Sequence, residues 1–226
     1  MSPEAVDRRP EAGPIEEASA PLQPPASSLQ PGHPFRAIVH FTGAELPLGL
    51  MSAGLPAPLT PVANKPVLEH LLELLVHHQV KDVRVVLGGG QRSVEEYFGD
   101  GRRWGVRLSY MPAPVPSTET GASDLGRMLA RCRRFVETTT LVVPGTALLD
   151  ADLGTFLRAH RASGAAVTVL DPSRVGAGRE GFALEPGWPE EGVDLRTAAR
   201  RSAPHERYDM LDPAATWRAN RAALDG

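Results

Sequence analysis

From Phe35 onward, short apolar runs alternate with apolar stripes at helical spacing. Arg36-Ala37-Ile38-Val39-His40-Phe41 is rich in apolar and β-branched residues and predicts a first strand. A Gly/Pro-rich loop follows over residues 42–63. A helix is predicted from Pro66, because Pro suits the first helical position, and Val67, Leu68, Leu71, Leu72 and Leu75 form its apolar stripe. Residues 83–87, Val-Arg-Val-Val-Leu, predict a second strand closed by Gly88-Gly89-Gly90. Ser93 and Glu96 have capping-box spacing for a short helix carrying Val94 and Tyr97, which Gly99-Asp100-Gly101 ends. Residues 106–110 predict a third strand. Ser123 is placed as the cap of a helix whose Leu125, Met128, Leu129 and Cys132 recur on one face. Residues 140–143 predict a fourth strand and residues 167–170 a fifth. Between them, Leu153, Phe156, Leu157 and His160 stripe a helix that Gly164 suits at its C-terminal end.

Residues 171–207 are polar and show only weak pattern, so they are expected to be irregular. A last helix is predicted with Asp212 as cap, Pro213 in the first turn, and Trp217 and Leu224 facing inward. Strands and helices in alternation imply βαβ units, right-handed crossovers and a mainly parallel sheet, an α/β fold. In such sheets ligands bind beyond the carboxyl ends of the strands. The candidate loops are therefore those after Phe41, Leu87, Tyr110 and Val143, and the first is the longest and most glycine-rich.

Composition changes this picture in a few places. Residues 1–34 hold eight of the 22 prolines and no aromatic residue. Such a segment buries too little apolar surface to offset its ordering entropy, so it is expected to be a disordered Pro-rich tail ahead of one domain over 35–226. A Pro-rich ligand for a partner domain is the other reading of it. With 24 Lys+Arg against 27 Asp+Glu, the net charge of −3 supplies no broad basic field for nucleic acid. No apolar run approaches the roughly eighteen residues of a membrane span, and no basic segment leads into an apolar core at the N-terminus. The expectation is a cytoplasmic domain with neither nucleic-acid nor membrane partners. A single cysteine, Cys132, excludes an intramolecular disulfide and a Cys-cluster metal site.

Several stretches carry a family resemblance. They are Pro61-Val62-Ala63-Asn64-Lys65-Pro66-Val67-Leu68-Glu69-His70, Glu95-Glu96-Tyr97-Phe98-Gly99-Asp100-Gly101 and Trp104-Gly105-Val106-Arg107-Leu108-Ser109-Tyr110. Asp150-Ala151-Asp152-Leu153 with His160, and Tyr208-Asp209-Met210 with Trp217-Arg218-Ala219-Asn220, continue them in order. Together they resemble the sugar-1-phosphate nucleotidylyltransferases, the nucleotidyltransferase family that makes nucleotide sugars. The resemblance implies a Rossmann-like three-layer fold of the nucleotide-diphospho-sugar transferase type, here shortened in its C-terminal half. It also implies attack of a sugar 1-phosphate on the α-phosphorus of a nucleoside triphosphate, with release of pyrophosphate. In that family a Gly-rich loop cradles the phosphates, an Arg and a Lys neutralise them, and two Asp hold Mg²⁺.

The chain departs from this pattern where the chemistry sits. The family's Ala-Gly-Gly-x-Gly-Thr-Arg-Leu aligns with Phe41-Thr42-Gly43-Ala44-Glu45-Leu46-Pro47-Leu48, keeping Gly43 and placing Pro47 at the Arg. The Lys position is Ala57, and the metal Asp of Asn-Gly-Asp is Thr146, within Pro144-Gly145-Thr146. The base-side Gly-rich segment persists in part, as Thr120-Gly121-Ala122. No Lys or Arg occurs between Arg36 and Lys65, and Glu45 adds a negative charge. A triphosphate brings about four negative charges, and a desolvated phosphate site without cations is costly. Beyond Asp171-Pro172-Ser173-Arg174-Val175-Gly176, the family's sugar-gripping motifs are not recognisable.

Three readings follow. The first is a catalytically impaired member acting as a binding or regulatory partner of an active nucleotidyltransferase homologue. Its vestigial nucleotide-binding positions would be Gly43, Gly88, Gly121 and Ala122. The second is an active enzyme with Mg²⁺ that uses the displaced residues Lys65, Arg92, Arg174 and Asp209, with Asp209 as the remaining metal carboxylate. The third is a sensor that binds a nucleotide sugar through the Gly88 turn and Gly121-Ala122 without turnover. Other signals have plainer readings. Gly88-Gly89-Gly90 lacks the following Gly-Lys-Ser/Thr of a P-loop. His70, His77 and His78 share a helix without a completing carboxylate or Cys, and are expected to be solvated or half-buried. Cys132 is expected as a buried structural thiol, and Arg131, Arg133 and Arg134 as a solvated face.

Overall fold

The computed structural model describes residues 35–42, 54–115, 124–150, 152–170, 181–187, 200–201 and 206–209. The chain divides into Met1–Gln30 and Pro31–Gly226, and every described residue belongs to the second unit. The Pro-rich segment, the loop positions Gly43 and Pro47, Gly121-Ala122, Ser123, Arg174 and the helix expected after Asp212 lie outside the described residues.

The first strand, β1, spans Arg36–Phe41 and is an inner strand of the main sheet. A small hairpin of β2, Pro61–Val62, and β3, Lys65–Pro66, turns at Ala63 and Asn64 and leads into helix α1, Val67–His77. Pro66 is the N-cap of α1 with ψ 140°, so the helix begins at Val67, one position later than expected. Pro66 still pairs with Pro61 in the hairpin, so its backbone is held extended. Strand β4, Asp82–Leu87, is followed by α2, Gln91–Phe98, and β5, Arg107–Pro112. Helix α3, Asp124–Cys132, precedes β6, Thr140–Pro144. Then come β7, Ala147–Asp150, helix α4, Leu153–Ser163, and β8, Val167–Val169. Short strands β9, Phe182–Leu184, β10, Arg200–Arg201, and β11, Glu206–Asp209, complete it.

Seven of these strands form one sheet in the order β10-β8-β9-β6-β1-β4-β5. Pairings of β1 with β4 and β6, β4 with β5, and β10 with β8 are parallel. The exception is β9, which inserts antiparallel between β6 and β8. The sheet is mixed but mainly parallel, and Phe182–Leu184 forms a strand within the stretch 171–207 expected to be irregular.

Side chains alternate across the sheet, so Ala37 and Val39 face one side and Ile38 the other. Both faces are dry, with Ala37, Ile38, Val39, Val85, Val86 and Val142 fully buried. On the Ile38 face, Met128, Leu129 and Cys132 of α3 pack with Val86, Val142, Phe182 and Leu184. All five stripe residues of α1 are buried, as are Leu153, Phe156, Leu157 and His160 of α4. A sheet closed on both faces is the reason its strands read as continuous apolar runs.

The start of α2 differs from the capping-box expectation. The helix begins at Gln91, and its N-cap is Gly90 with φ 64°, without a side-chain cap. Ser93 lies inside the helix, and Glu96 pairs with Arg92 one turn earlier at 2.8 Å. A left-handed Gly turns the chain directly from strand to helix, so the cap is not needed three residues later, at Ser93.

Candidate active-site crevice at the strand ends

The strand order sets the place of the site. From β1 the chain moves outward to β4 and β5, then returns past β1 to β6. In a doubly wound sheet such a reversal of strand order is the place where ligands bind, beyond the carboxyl ends of these strands. The lining follows from the register. The last ladder pairs are Phe41 with Leu87 on one side and His40 with Pro144 on the other. Gly88 N–H then donates to the Phe41 carbonyl at 3.1 Å, and Gly145 N–H to the His40 carbonyl at 2.8 Å. These two bonds extend both ladders by one residue and fix the backbone on either side of Phe41.

Both glycines are required by close approach. A Cβ on Gly88 would stand 2.9 Å from the Phe41 carbonyl oxygen. One on Gly145 would stand 2.2 to 2.6 Å from atoms of the Phe41 ring. That ring is buried, with 6% of the residue exposed. His40 is also buried, and its Nδ1 is 3.0 Å from Thr42 Oγ1.

Gly88, Gly89 and Gly90 are exposed at the end of β4. A Cβ on Gly90 would meet Pro56 Cγ at 2.3 Å, so the turn carrying Ala57 packs directly against this glycine turn. Ala57 opens the 3₁₀ turn Ala57–Leu59 and ends in a methyl group where the resemblance expects a lysine.

Thr146 follows Gly145 and is buried. The second, two-stranded sheet pairs β11 with β7 antiparallel, setting Asp209 opposite Ala147. The backbone at Asp209 thus sits beside the position that follows Thr146. Two positions far apart in sequence, which the resemblance assigns to one metal, are brought together by this ladder.

The displaced cations go elsewhere. Lys65 Nζ is 2.6 Å from Glu73 Oε1, and this hydrogen bond raises its pKa. Arg92 is exposed and binds Glu96 along α2. Each cation is thus matched by a carboxylate on its own surface.

His77 is exposed, while His70 and His78 hold contacts between elements. His70 Nε2 is 2.9 Å from the Val62 carbonyl, tying the β2–β3 hairpin to α1. His78 Nδ1 accepts from Gly154 N–H at 3.2 Å, joining α1 to the start of α4. Cys132 is fully buried, and burial pushes its thiol up to about 11. Arg131, Arg133 and Arg134 are exposed. Among the described residues, no group of three or more His, Cys, Asp or Glu could hold a metal ion. Among them, too, no helix is long and apolar enough to cross a membrane.

Sequence reasoning did not single out the contact between Phe41 and Gly145. Its signal was present: a bulky ring stands where the family's loop begins with Ala.

Strand order and register define a doubly wound α/β protein with a mainly parallel sheet. The profile of the nucleotidyl transferase family matches residues 48–175. The chain belongs to this family. It is 32% identical over 122 residues to a UTP–glucose-1-phosphate uridylyltransferase of Synechocystis, covering 51% of this chain and 31% of that protein. It is 33% identical over 167 residues to a CMP-5'-(3-aminopropyl)phosphonate synthase of Streptomyces rubellomurinus, covering 74% of this chain and 26% of that protein. The matches span less than a third of these two relatives. Among solved structures, HddC from Yersinia pseudotuberculosis, complexed with GMP-PN, superposes with a TM-score of 0.61 at 12% identity, over 83% of this chain and 99% of HddC. A Bacillus anthracis protein described as a glucose-1-phosphate thymidylyltransferase gives 0.59 at 14% identity, over 85% and 95%. These structures share the fold.

Proposed function

We propose that this chain is a nucleotidyl transferase domain of the nucleotide-sugar-forming type that has lost competent turnover and acts as a binding or regulatory partner of an active nucleotidyltransferase. One observation carries the reading. At the end of β6, where the resemblance expects a metal carboxylate, stands the buried neutral hydroxyl of Thr146. The β7–β11 register sets the backbone of Asp209 opposite Ala147, the residue after it.

Nucleotidyl transfer depends on positioning and on neutralising charge that builds on the phosphates. A hard dication prefers several oxygen ligands, and losing an anionic one weakens the remaining neutraliser. Pro47 and Ala57 remove two further charges where the family has Arg and Lys. Lys65 and Arg92, the cations that could have substituted, are held by Glu73 and Glu96. The named relatives act on sugar 1-phosphates and a phosphonate, and a partner of similar chemistry is what such a scaffold would pair with.

The test is pyrophosphate release from a panel of nucleoside triphosphates and sugar 1-phosphates with Mg²⁺. The expected rate equals that without protein, and co-purification recovers an active homologue. Turnover that vanishes in an Asp209→Ala variant would overturn the reading in favour of an active enzyme. A rise in melting temperature with nucleotide sugars, without turnover, would turn it into a sensor.

A further inference from the structure

A cleft of about 540 Å³ lies along the outer side of α1 and shares no residue with the strand ends around Gly88 and Gly145. One wall is α1 itself, which contributes Glu69, Glu73, Val76 and His77. These positions form one stripe of the helix, beside its buried leucines. The other wall is the 3₁₀ turn Arg102–Trp104, which contributes Arg103 and Trp104. A Cβ on Gly105 would stand 3.9 Å from Val76 Cγ1, so the turn rests directly on α1. The Trp104 ring is fixed by its neighbours, with the Phe98 centroid 4.8 Å away and Tyr97 stacked at 6.0 Å. The aromatic wall is therefore organised before a ligand arrives, which lowers the cost of binding.

The charges in this cleft say what it would accept. Two carboxylates, Glu69 and Glu73, are balanced by two cations, Lys65 and Arg103. Lys65 Nζ already holds Glu73 at 2.6 Å, and the Arg103 guanidinium stands 5.2 Å from the Trp104 ring centroid. Among the described residues, Glu69 and Arg103 share the cleft without forming an ion pair. A free anion would meet two carboxylates, and a free cation would meet Lys65 and Arg103 in place. An uncharged ligand meets neither penalty. A carboxylate only accepts hydrogen bonds, a guanidinium only donates them, and a neutral imidazole does one of each. Hydroxyl groups, which do both, match all three. Trp104 and Val76 add an apolar surface that calls for a C–H face on the same ligand. The volume lies within the range of small-molecule sites, roughly 300–1,000 Å³.

We propose that the cleft between α1 and the Arg102–Trp104 turn is a binding site for an uncharged pyranose, a ring with hydroxyls at its rim and C–H groups on its faces. Its hydroxyls donate to Glu69 and accept from Arg103, and a C–H face lies against Trp104. The site is separate from the strand ends, so it goes beyond the proposed loss of turnover and does not depend on it.

The experiment titrates the full chain with the methyl glycosides of glucose, galactose, mannose and N-acetylglucosamine. Affinity is read by saturation-transfer NMR on the glycoside. Arginine methyl ester and glucose 6-phosphate serve as the cationic and anionic probes. At least one glycoside should bind saturably and more tightly than either charged probe. Glu69→Ala and Trp104→Leu should each weaken that binding by about tenfold, through loss of a charged acceptor and of the aromatic surface. Arg133→Ala, exposed and outside the cleft, should leave it unchanged. Glu69 is only partly buried, so Glu69→Ala carries the comparison if Trp104→Leu does not fold. Absence of saturable binding by every glycoside, equal affinity in Glu69→Ala, or tighter binding of a charged probe would overturn the proposal. None of these results reads pyrophosphate release, so the proposed loss of turnover stands or falls separately.

Discussion

Single side chains in this protein show how burial decides chemistry. His160 is enclosed between Thr168 Oγ1, 2.7 Å from its Nδ1, and Glu185 Oε1, 3.1 Å from its Nε2. The Thr168 hydroxyl can donate to Nδ1 when the ring is neutral. Burial lowers the pKa of His160, Glu185 opposes that shift, and Arg161 adds to it. The unfolded state therefore binds more protons than the folded state as pH falls through the usual histidine range near 6.5. Stability should drop with acidification in that window. Urea midpoints at neutral and mildly acidic pH should diverge, and His160→Gln should reduce the divergence. Thr60 makes the opposite point. Its Oγ1 is buried with no hydrogen-bond partner among the described residues. Thr60→Val should stabilise the fold by about 1 kcal/mol, read as a higher denaturant midpoint at unchanged slope. Cys132, pushed up to about 11 on an apolar face, should resist a thiol reagent until the protein unfolds.

At the scale of elements, the ends of helices carry the most local information. Helix α4 starts at Asp152, whose Oδ1 accepts from Thr155 N–H at 2.9 Å and whose Oδ2 accepts from Thr155 Oγ1–H at 2.6 Å. Asp152→Ala should cost about 1 kcal/mol in chemical denaturation. Two left-handed glycines separate backbone strain from steric overlap. Gly164 has φ 62° with open space around a would-be Cβ, so Gly164→Ala should cost about 1 kcal/mol. Gly90 has φ 64° and Pro56 Cγ at 2.3 Å, so Gly90→Ala should cost about 2 kcal/mol or more. Equal losses would mean that Pro56 yields freely, and that the turn carrying Ala57 is not fixed by this contact. The same helix ends show where sequence patterns mislead. Ser93 and Glu96 have the spacing of a capping box, but Gly90 begins the helix earlier and the box never forms.

For the whole molecule, the strands and helices with long apolar periodicity were legible. Strand β1 has the expected bounds, and the stripes of α1, α3 and α4 are buried. What stayed hidden was short or paired at long range. Strand β9 has three residues, all buried, so it shows no alternation, and its place between β6 and β8 is decided by those strands. Strand β11 reads Glu-Arg-Tyr-Asp, with no apolar pattern, and only its ladder with β7 reveals it. The site was legible as a set of substitutions, Ala57 and Thr146 among them, because charge can be read from letters. The seating of Phe41 on Gly145 was not, because it depends on register across two strands joined late in the chain. The fold retains the nucleotidyl transferase scaffold, and the proposed loss of turnover rests on Ala57 and Thr146 standing where the resemblance expects a Lys and a metal Asp. A calorimetric titration of the full chain with a nucleoside triphosphate and Mg²⁺ measures this directly. The account predicts no saturable heat for any of the common triphosphates. Saturable binding, lost on Asp209→Ala and accompanied by Mg²⁺ uptake, would contradict it.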